Sequence, residues 1–224
     1  MDISKRWQTM KKLVLCGCSL GDSWMPYFDL AGYDNVTRSK KKWDTTKIQL
    51  SGGGHGYMVT GLHDYFLTND YKSTIIVQLT GINRETLVTS EKYKREKTII
   101  NKLTQKKEYY HSINFARDMD IKLSGNYNYV NLVSSLCMLS KLGADVYVFR
   151  GWQNITDPTW SDSKKYMKES GITFTELDYL SECIKLSTKE EDWRDDQHPQ
   201  DTLGTKAFDN IWKELNYGYF KKVG

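Results

Sequence analysis

The residues able to act together as a chemical site fall in four short segments of a 224-residue chain. Gly17-Cys18-Ser19-Leu20 offers a hydroxyl just past an apolar run, and Ser51-Gly52-Gly53-Gly54-His55-Gly56 offers a glycine-rich turn. Thr80-Gly81-Ile82-Asn83-Arg84 places an amide after a second apolar run, and Asp195-Asp196-Gln197-His198-Pro199 precedes the last amphipathic stretch. A serine beside a histidine whose ring is held by a carboxylate is the arrangement for nucleophilic acyl transfer. Ser19 would attack, His198 would take its proton, and Asp195 would hold the imidazole. Glycine N–H groups and an asparagine amide are suitable donors to the oxyanion that forms.

Each segment also has a plainer reading. A serine after a strand commonly caps a helix, and a glycine run is commonly just a turn. The Gly52–Gly56 run lacks the Gly-Lys-Ser/Thr of a P-loop and the spacing of a dinucleotide fingerprint. Two rivals for the nucleophile lie close by. Gly21-Asp22-Ser23-Trp24 presents Ser23 four residues on, and Cys18 offers a thiol. Asp22 and Ser23 also suit the first turn of a helix, where an acid favours the dipole. The Cys18 side chain should face away from that of Ser19.

The elements that must position these groups read as alternating strands and helices. Leu13–Cys16, Ile75–Leu79 and Ala144–Phe149 are continuous apolar runs, as expected of parallel strands buried on both faces, and 172–175 and 47–50 are weaker candidates. Val130, Leu132, Val133, Leu136, Leu139 and Leu142 recur at helical spacing ahead of Gly143, a suitable C-cap. Ala207, Phe208, Ile211, Trp212 and Leu215 mark an amphipathic closing helix. This alternation predicts an α/β fold, and in such sheets ligands bind at the carboxyl ends of the strands. Residues 84–118 differ, with nine Lys/Arg against five Asp/Glu. They are expected to form a helical excursion over the sheet, a lid in function.

Composition narrows the classes. The chain is 39% hydrophobic and 27% charged, far from the disordered regime, and its net charge is only +4. No apolar run approaches the length of a membrane helix, and the four residues of Leu13–Cys16 are too few for a signal-peptide core. A cytoplasmic protein is therefore expected, its four cysteines reduced. No cluster of His, Cys and carboxylates has metal-ligand spacing, so neither metal nor other cofactor is expected. Membrane partners are not expected. Nucleic acid ranks low because the basic insert is mixed with acids. Charge is polarised, since Glu190–Asp201 holds six acids and one arginine.

Taken in order, the four segments resemble the blocks of the SGNH hydrolase superfamily, the GDSL-type esterases and lipases. The first block there is a strand and then Gly-Asp-Ser-Leu. Gly17-Cys18-Ser19-Leu20 is similar, with Cys18 replacing the aspartate. The second supplies a glycine, for which Gly52 is the best match and Gly53 the next. Gly81-Ile82-Asn83-Arg84 keeps three features of Gly-x-Asn-Asp and ends in Arg84, while Asp195–Pro199 matches Asp-x-x-His-Pro in full. The resemblance runs from about Leu13 to Leu215. It implies a three-layer α/β/α sandwich, flavodoxin-like, with a mostly parallel five-stranded sheet. Residues 1–224 would form a single such domain with a charged helical insert at about 84–126.

The same resemblance implies a serine esterase acting on a small acyl ester, most simply an O-acetyl group on a carbohydrate. Ser19, Asp195 and His198 would be catalytic. The Ser19 and Gly52 N–H groups and the Asn83 amide would form the oxyanion hole. His55, Arg84 and Trp152 are candidate substrate contacts, His55 for its place beside the glycine turn and Trp152 for its place after the third strand. A non-catalytic binding or structural module on the same fold is the alternative that the altered first and third blocks leave open.

Overall fold

The computed structural model describes residues 12–31, 44–49, 53–81, 85–89, 98–100, 107–113, 119–152, 157–195 and 198–223. Five strands form one parallel sheet: β1 (Lys12–Gly17), β2 (Asp44–Gln49), β3 (Ser73–Leu79), β7 (Asp145–Arg150) and β8 (Thr173–Asp178). Their order is β2-β1-β3-β7-β8, every pairing parallel, which places β1 and β3 centrally. All seven residues of β3 are buried, because helices cover both faces, and this is why its sequence reads as a continuous apolar run.

The two sides of the sheet carry separate cores. On one, Val14, Cys16, Ile75, Val77, Leu79, Val146 and Val148 pack under α3 (His55–Phe66), α4 (Met119–Lys141) and α5 (Asp157–Glu169). On the other, Leu13, Leu15, Ile76 and Phe149 pack under α1 (Gly21–Trp24), α2 (Pro26–Ala31), α6 (Tyr179–Leu186) and α7 (Asp201–Val223). The alternation of faces along each strand follows from the two-residue period of the pleat. Together the layers make the α/β/α sandwich expected from the sequence, with a parallel five-stranded sheet.

α7 presents Leu203, Ala207, Phe208, Ile211 and Leu215 to this second core, all buried. Phe208 stacks on Trp24 with centroids 4.9 Å apart and meets Phe149 edge-on at 5.4 Å. Phe28 and Trp212 extend the cluster. Such aromatic pairs contribute roughly 0.5–1.5 kcal/mol each beyond their area. The start of α7 is thereby anchored to α1 and β7, next to the turn that carries Ser19.

The insert is the main correction. Instead of a helical excursion, it contains β4 (Glu85–Thr89), β5 (Thr98–Ile100) and β6 (Lys107–Ile113). These form a separate antiparallel sheet in the order β4-β6-β5. Among the described residues, the predicted insert enters a helix, α4, at Met119. High charge density suggests helix, yet Thr86, Val88, Thr98, Ile99, Ile100, Tyr109 and Tyr110 are β-branched or aromatic and favour strands. Among the described residues, no helix is long and apolar enough to cross a membrane. None of the four cysteines forms a disulfide.

Candidate active site

Ser19 lies in the tight turn between β1 and α1. The turn closes through Gly21 N–H to Cys18 O at 2.8 Å and Ser23 N–H to Leu20 O at 3.1 Å. The segment must turn sharply because β1 ends against buried neighbours. A side chain on Gly17 would press on Gln78 and Met25, and one on Gly21 on Met25 and Gln49. Ser19 itself keeps 8% of its surface exposed.

His198 comes from the opposite end of the chain, and its loop is pinned on both flanks. Arg194 N–H donates to His198 O at 2.7 Å, and Gln200 N–H to Asp192 O at 2.8 Å. Trp193 and Pro199 form an antiparallel bridge, and Arg194 pairs with Asp201 at the start of α7. Trp193 Nε1 donates to Ser187 Oγ at 2.8 Å. Asp192 accepts N–H bonds from Thr188 and Lys189. The Thr188 N–H, the largest influence, helps hold that carboxyl below its ordinary range. This small hairpin delivers His198 Nε2 to 2.8 Å from Ser19 Oγ.

The structure separates the rival nucleophiles. Ser23 is buried in α1, where its hydroxyl donates to Leu20 O at 2.8 Å and is 2.8 Å from the Tyr179 hydroxyl. Cys18 is also buried, its Sγ directed to Gln78 Oε1 at 3.6 Å. Of the three, Ser19 is the one brought to His198. Asp195 occupies the turn of the hairpin and is exposed. Among the described residues, no hydrogen bond joins its carboxylate to His198. Gly52, Asn83 and Arg84 lie outside the described residues. Trp152 is half-buried and packs against the core beneath α7.

His55 departs from its expected role as a substrate contact. It begins α3 but turns into the core, 1% exposed, with its ring edge-on to Tyr129 at 5.2 Å. Its Nε2 accepts the Thr80 N–H at 3.2 Å, which secures the end of β3. Burial lowers its pKa to about 3, despite the opposing Thr80 bond. The ring is therefore neutral and structural. His63, on the same helix, is exposed and lies 3.4 Å from Ser135 Oγ on α4.

Gln78 is not among the residues that the sequence motifs single out. It is fully buried, and its Oε1 accepts from Trp24 Nε1 at 3.1 Å and faces Cys18 Sγ. One amide thus ties β3 to both sides of the Ser19 turn. The signal was present: Gln78 is the one polar side chain within Ile75-Ile76-Val77-Gln78-Leu79. A polar group inside an apolar run must find partners there.

No protein-family model matches the chain, and no curated protein matches it. Solved structures do. The psychrotrophic esterase EstA from Pseudoalteromonas sp. aligns over 93% of this chain and 98% of its own, with a TM-score of 0.52 and 11% identity. Axe2, an acetylxylan esterase from Geobacillus stearothermophilus, aligns over 92% and 94%, at 0.48 and 14%. A candidate GDSL-like lipase from Parabacteroides merdae aligns over 92% and 95%, at 0.49 and 10%. At this level of identity the likeness is one of fold, the parallel α/β sandwich that this chain has in common with EstA. EstA shares that fold along nearly its whole length.

Proposed function

We propose that the protein is a serine ester hydrolase that removes a small acyl group through an acyl-enzyme. The observation that carries this reading is the 2.8 Å approach of Ser19 Oγ and His198 Nε2 at the carboxyl end of β1. With hydrogen on Nδ1, Nε2 accepts the hydrogen bond of the Ser19 hydroxyl. As Oγ attacks the ester carbonyl, that proton passes to Nε2, and the carbonyl π electrons move to oxygen. Collapse of the tetrahedral species expels the alcohol, which takes the proton from His198. Water then attacks the acyl-serine by the same route, releasing the acid and restoring both groups.

Asp195 is assigned to steady the imidazolium. Bonds of this kind are often long before substrate binds and tighten afterwards, and the Asp195 turn lies within the same hairpin. The Ser19 and Gly52 N–H groups and the Asn83 amide are assigned to the oxyanion, with Arg84 and Trp152 at the substrate. The slight exposure of Ser19 supports a small acyl group such as acetyl. The acidic stretch Glu190–Asp201 disfavours strongly anionic substrates and suits a neutral carbohydrate or alcohol.

The test is turnover of p-nitrophenyl acetate together with mass labelling by a fluorophosphonate. Hydrolysis that disappears in His198→Ala, with the label on Ser19 in the wild type, supports the assignment. A chain that neither turns over acetyl esters nor takes up the label is a non-catalytic module on this fold.

A further inference from the structure

On the face of the molecule formed by α4 and α5 lies an open groove of about 810 Å³. Eight large apolar side chains are exposed among the described residues, and four of them line this groove: Val130 (53%), Met138 (50%), Leu142 (49%) and Tyr166 (61%). Scattered exposed apolar residues need no explanation, but half of them gathered in one place marks a contact surface. The stripe follows from the α4 sequence, in which Val130, Ser134, Met138 and Leu142 recur every fourth residue and so share one face.

The charges at the rim identify the occupant. Two bonds set the relative direction of the helices. The Tyr129 hydroxyl lies 2.7 Å from Ser163 Oγ, and Ser140 Oγ donates to Ser170 O at 2.8 Å. The residue numbers rise together, so α4 and α5 run in the same direction. Lys141 thus stands at one end of the groove, beside the Ser140–Ser170 contact. Asp162 stands at the other, beside the Tyr129–Ser163 contact. The eight residue steps from Asp162 to Ser170, just past the end of α5, correspond to about 12 Å. Both charged residues line the groove and are exposed. Among the described residues neither takes part in an ion pair.

A surface with a cation at one end, an anion at the other and an apolar floor between them is complementary to itself after a half-turn. We propose that this groove is the interface of a two-fold homodimer. The α4 helices cross in opposite directions, so that Lys141 of each copy meets Asp162 of the other. Met138, Leu142, Val130 and Tyr166 of the two copies face one another between these charged ends. An isologous contact requires this reciprocity, in which residue i meets j and j meets i. The interface lies on the sheet face opposite α7, away from the Ser19–His198 pair, and leaves that site open.

Light scattering and sedimentation equilibrium of the full chain at micromolar concentrations test this. The wild type is expected as a dimer. Met138→Glu should weaken association at least tenfold, and Leu67→Glu, an exposed apolar position outside the groove, should leave it unchanged. Lys141→Asp and Asp162→Lys should each weaken association by juxtaposing like charges, and the two together should restore it. Circular dichroism checks that each variant folds, and the surface charge exchange keeps the test valid if Met138→Glu does not. A wild type that remains monomeric, a dimer indifferent to Met138→Glu, or a charge exchange that fails to restore association would overturn the proposal.

Discussion

Ser19 Oγ and His198 Nε2 stand 2.8 Å apart although 179 positions separate them in the chain. Neither is held by the other. Ser19 is fixed by the turn out of β1, and His198 by a hairpin closed through Arg194, Trp193, Pro199 and Asp192. Two segments fixed by separate sets of contacts thus meet at hydrogen-bond distance.

Replacing Ser19 by Ala should abolish both acetyl-ester turnover and fluorophosphonate labelling, a loss of several orders of magnitude in kcat/KM. Ser23→Ala should keep both. Its cost is structural, since the Tyr179 hydroxyl loses a buried partner, roughly 1–3 kcal/mol by chemical denaturation. The opposite pattern would transfer the nucleophile to Ser23.

Asp195→Asn should lower kcat by about a hundredfold or more while leaving labelling of Ser19 detectable, because an orienting carboxylate assists the base without supplying the nucleophile. Steady-state kinetics at one pH are sufficient. Unchanged kcat would reduce the site to a Ser19–His198 dyad.

Stability should decline with acid through His55. Its folded pKa, about 3, lies below the ordinary value of 6.5. Between these values the unfolded chain binds a proton that the folded chain does not, so stability is full above about pH 6.5 and falls as pH drops. The slope contributed approaches 1.4 kcal/mol per pH unit in that window. Urea titrations at pH 7 and pH 5 should show the loss, and His55→Gln should reduce it.

Gly204→Ala should destabilise, although alanine is ordinarily the better helix former by roughly 0.5–1 kcal/mol. Gly204 lies inside α7, where an added Cβ would collide with the Ser23 carbonyl and the Tyr179 hydroxyl. Overpacking of this kind typically costs about 1–3 kcal/mol. For a chain of this size that is a fall of several degrees in Tm by calorimetry.

Gln78→Leu should lower both stability and kcat. The Trp24 indole N–H would be left buried without its acceptor, a loss of roughly 1–3 kcal/mol. The Ser19 turn would also lose its tie to β3 through Cys18. A stability loss with kcat unchanged would confine Gln78 to a packing role.

Local pattern determined much of this protein. Continuous apolar runs announced β1, β3 and β7 because strands buried on both faces have no polar side to show. The spacing of Ala207, Phe208, Ile211 and Leu215 announced the core face of α7, because a helix buried on one side shows an apolar stripe against a polar face. The order of four short blocks announced which serine and histidine to watch. What local pattern lacks is direction in space. Ser19 and Ser23 both follow β1, and only the packing of α7 and α6 turns Ser23 toward Tyr179 and leaves Ser19 facing His198. His55 stands beside a glycine turn whether it points out or in, and only its contact with Thr80 and Tyr129 decides that it is buried. Glu85–Thr89, Thr98–Ile100 and Lys107–Ile113 pair as an antiparallel sheet, because strand pairing depends on partners distant in sequence, which charge density does not reveal. Val130 and Leu142 of α4 read as core by their spacing, and only the tertiary packing leaves them exposed.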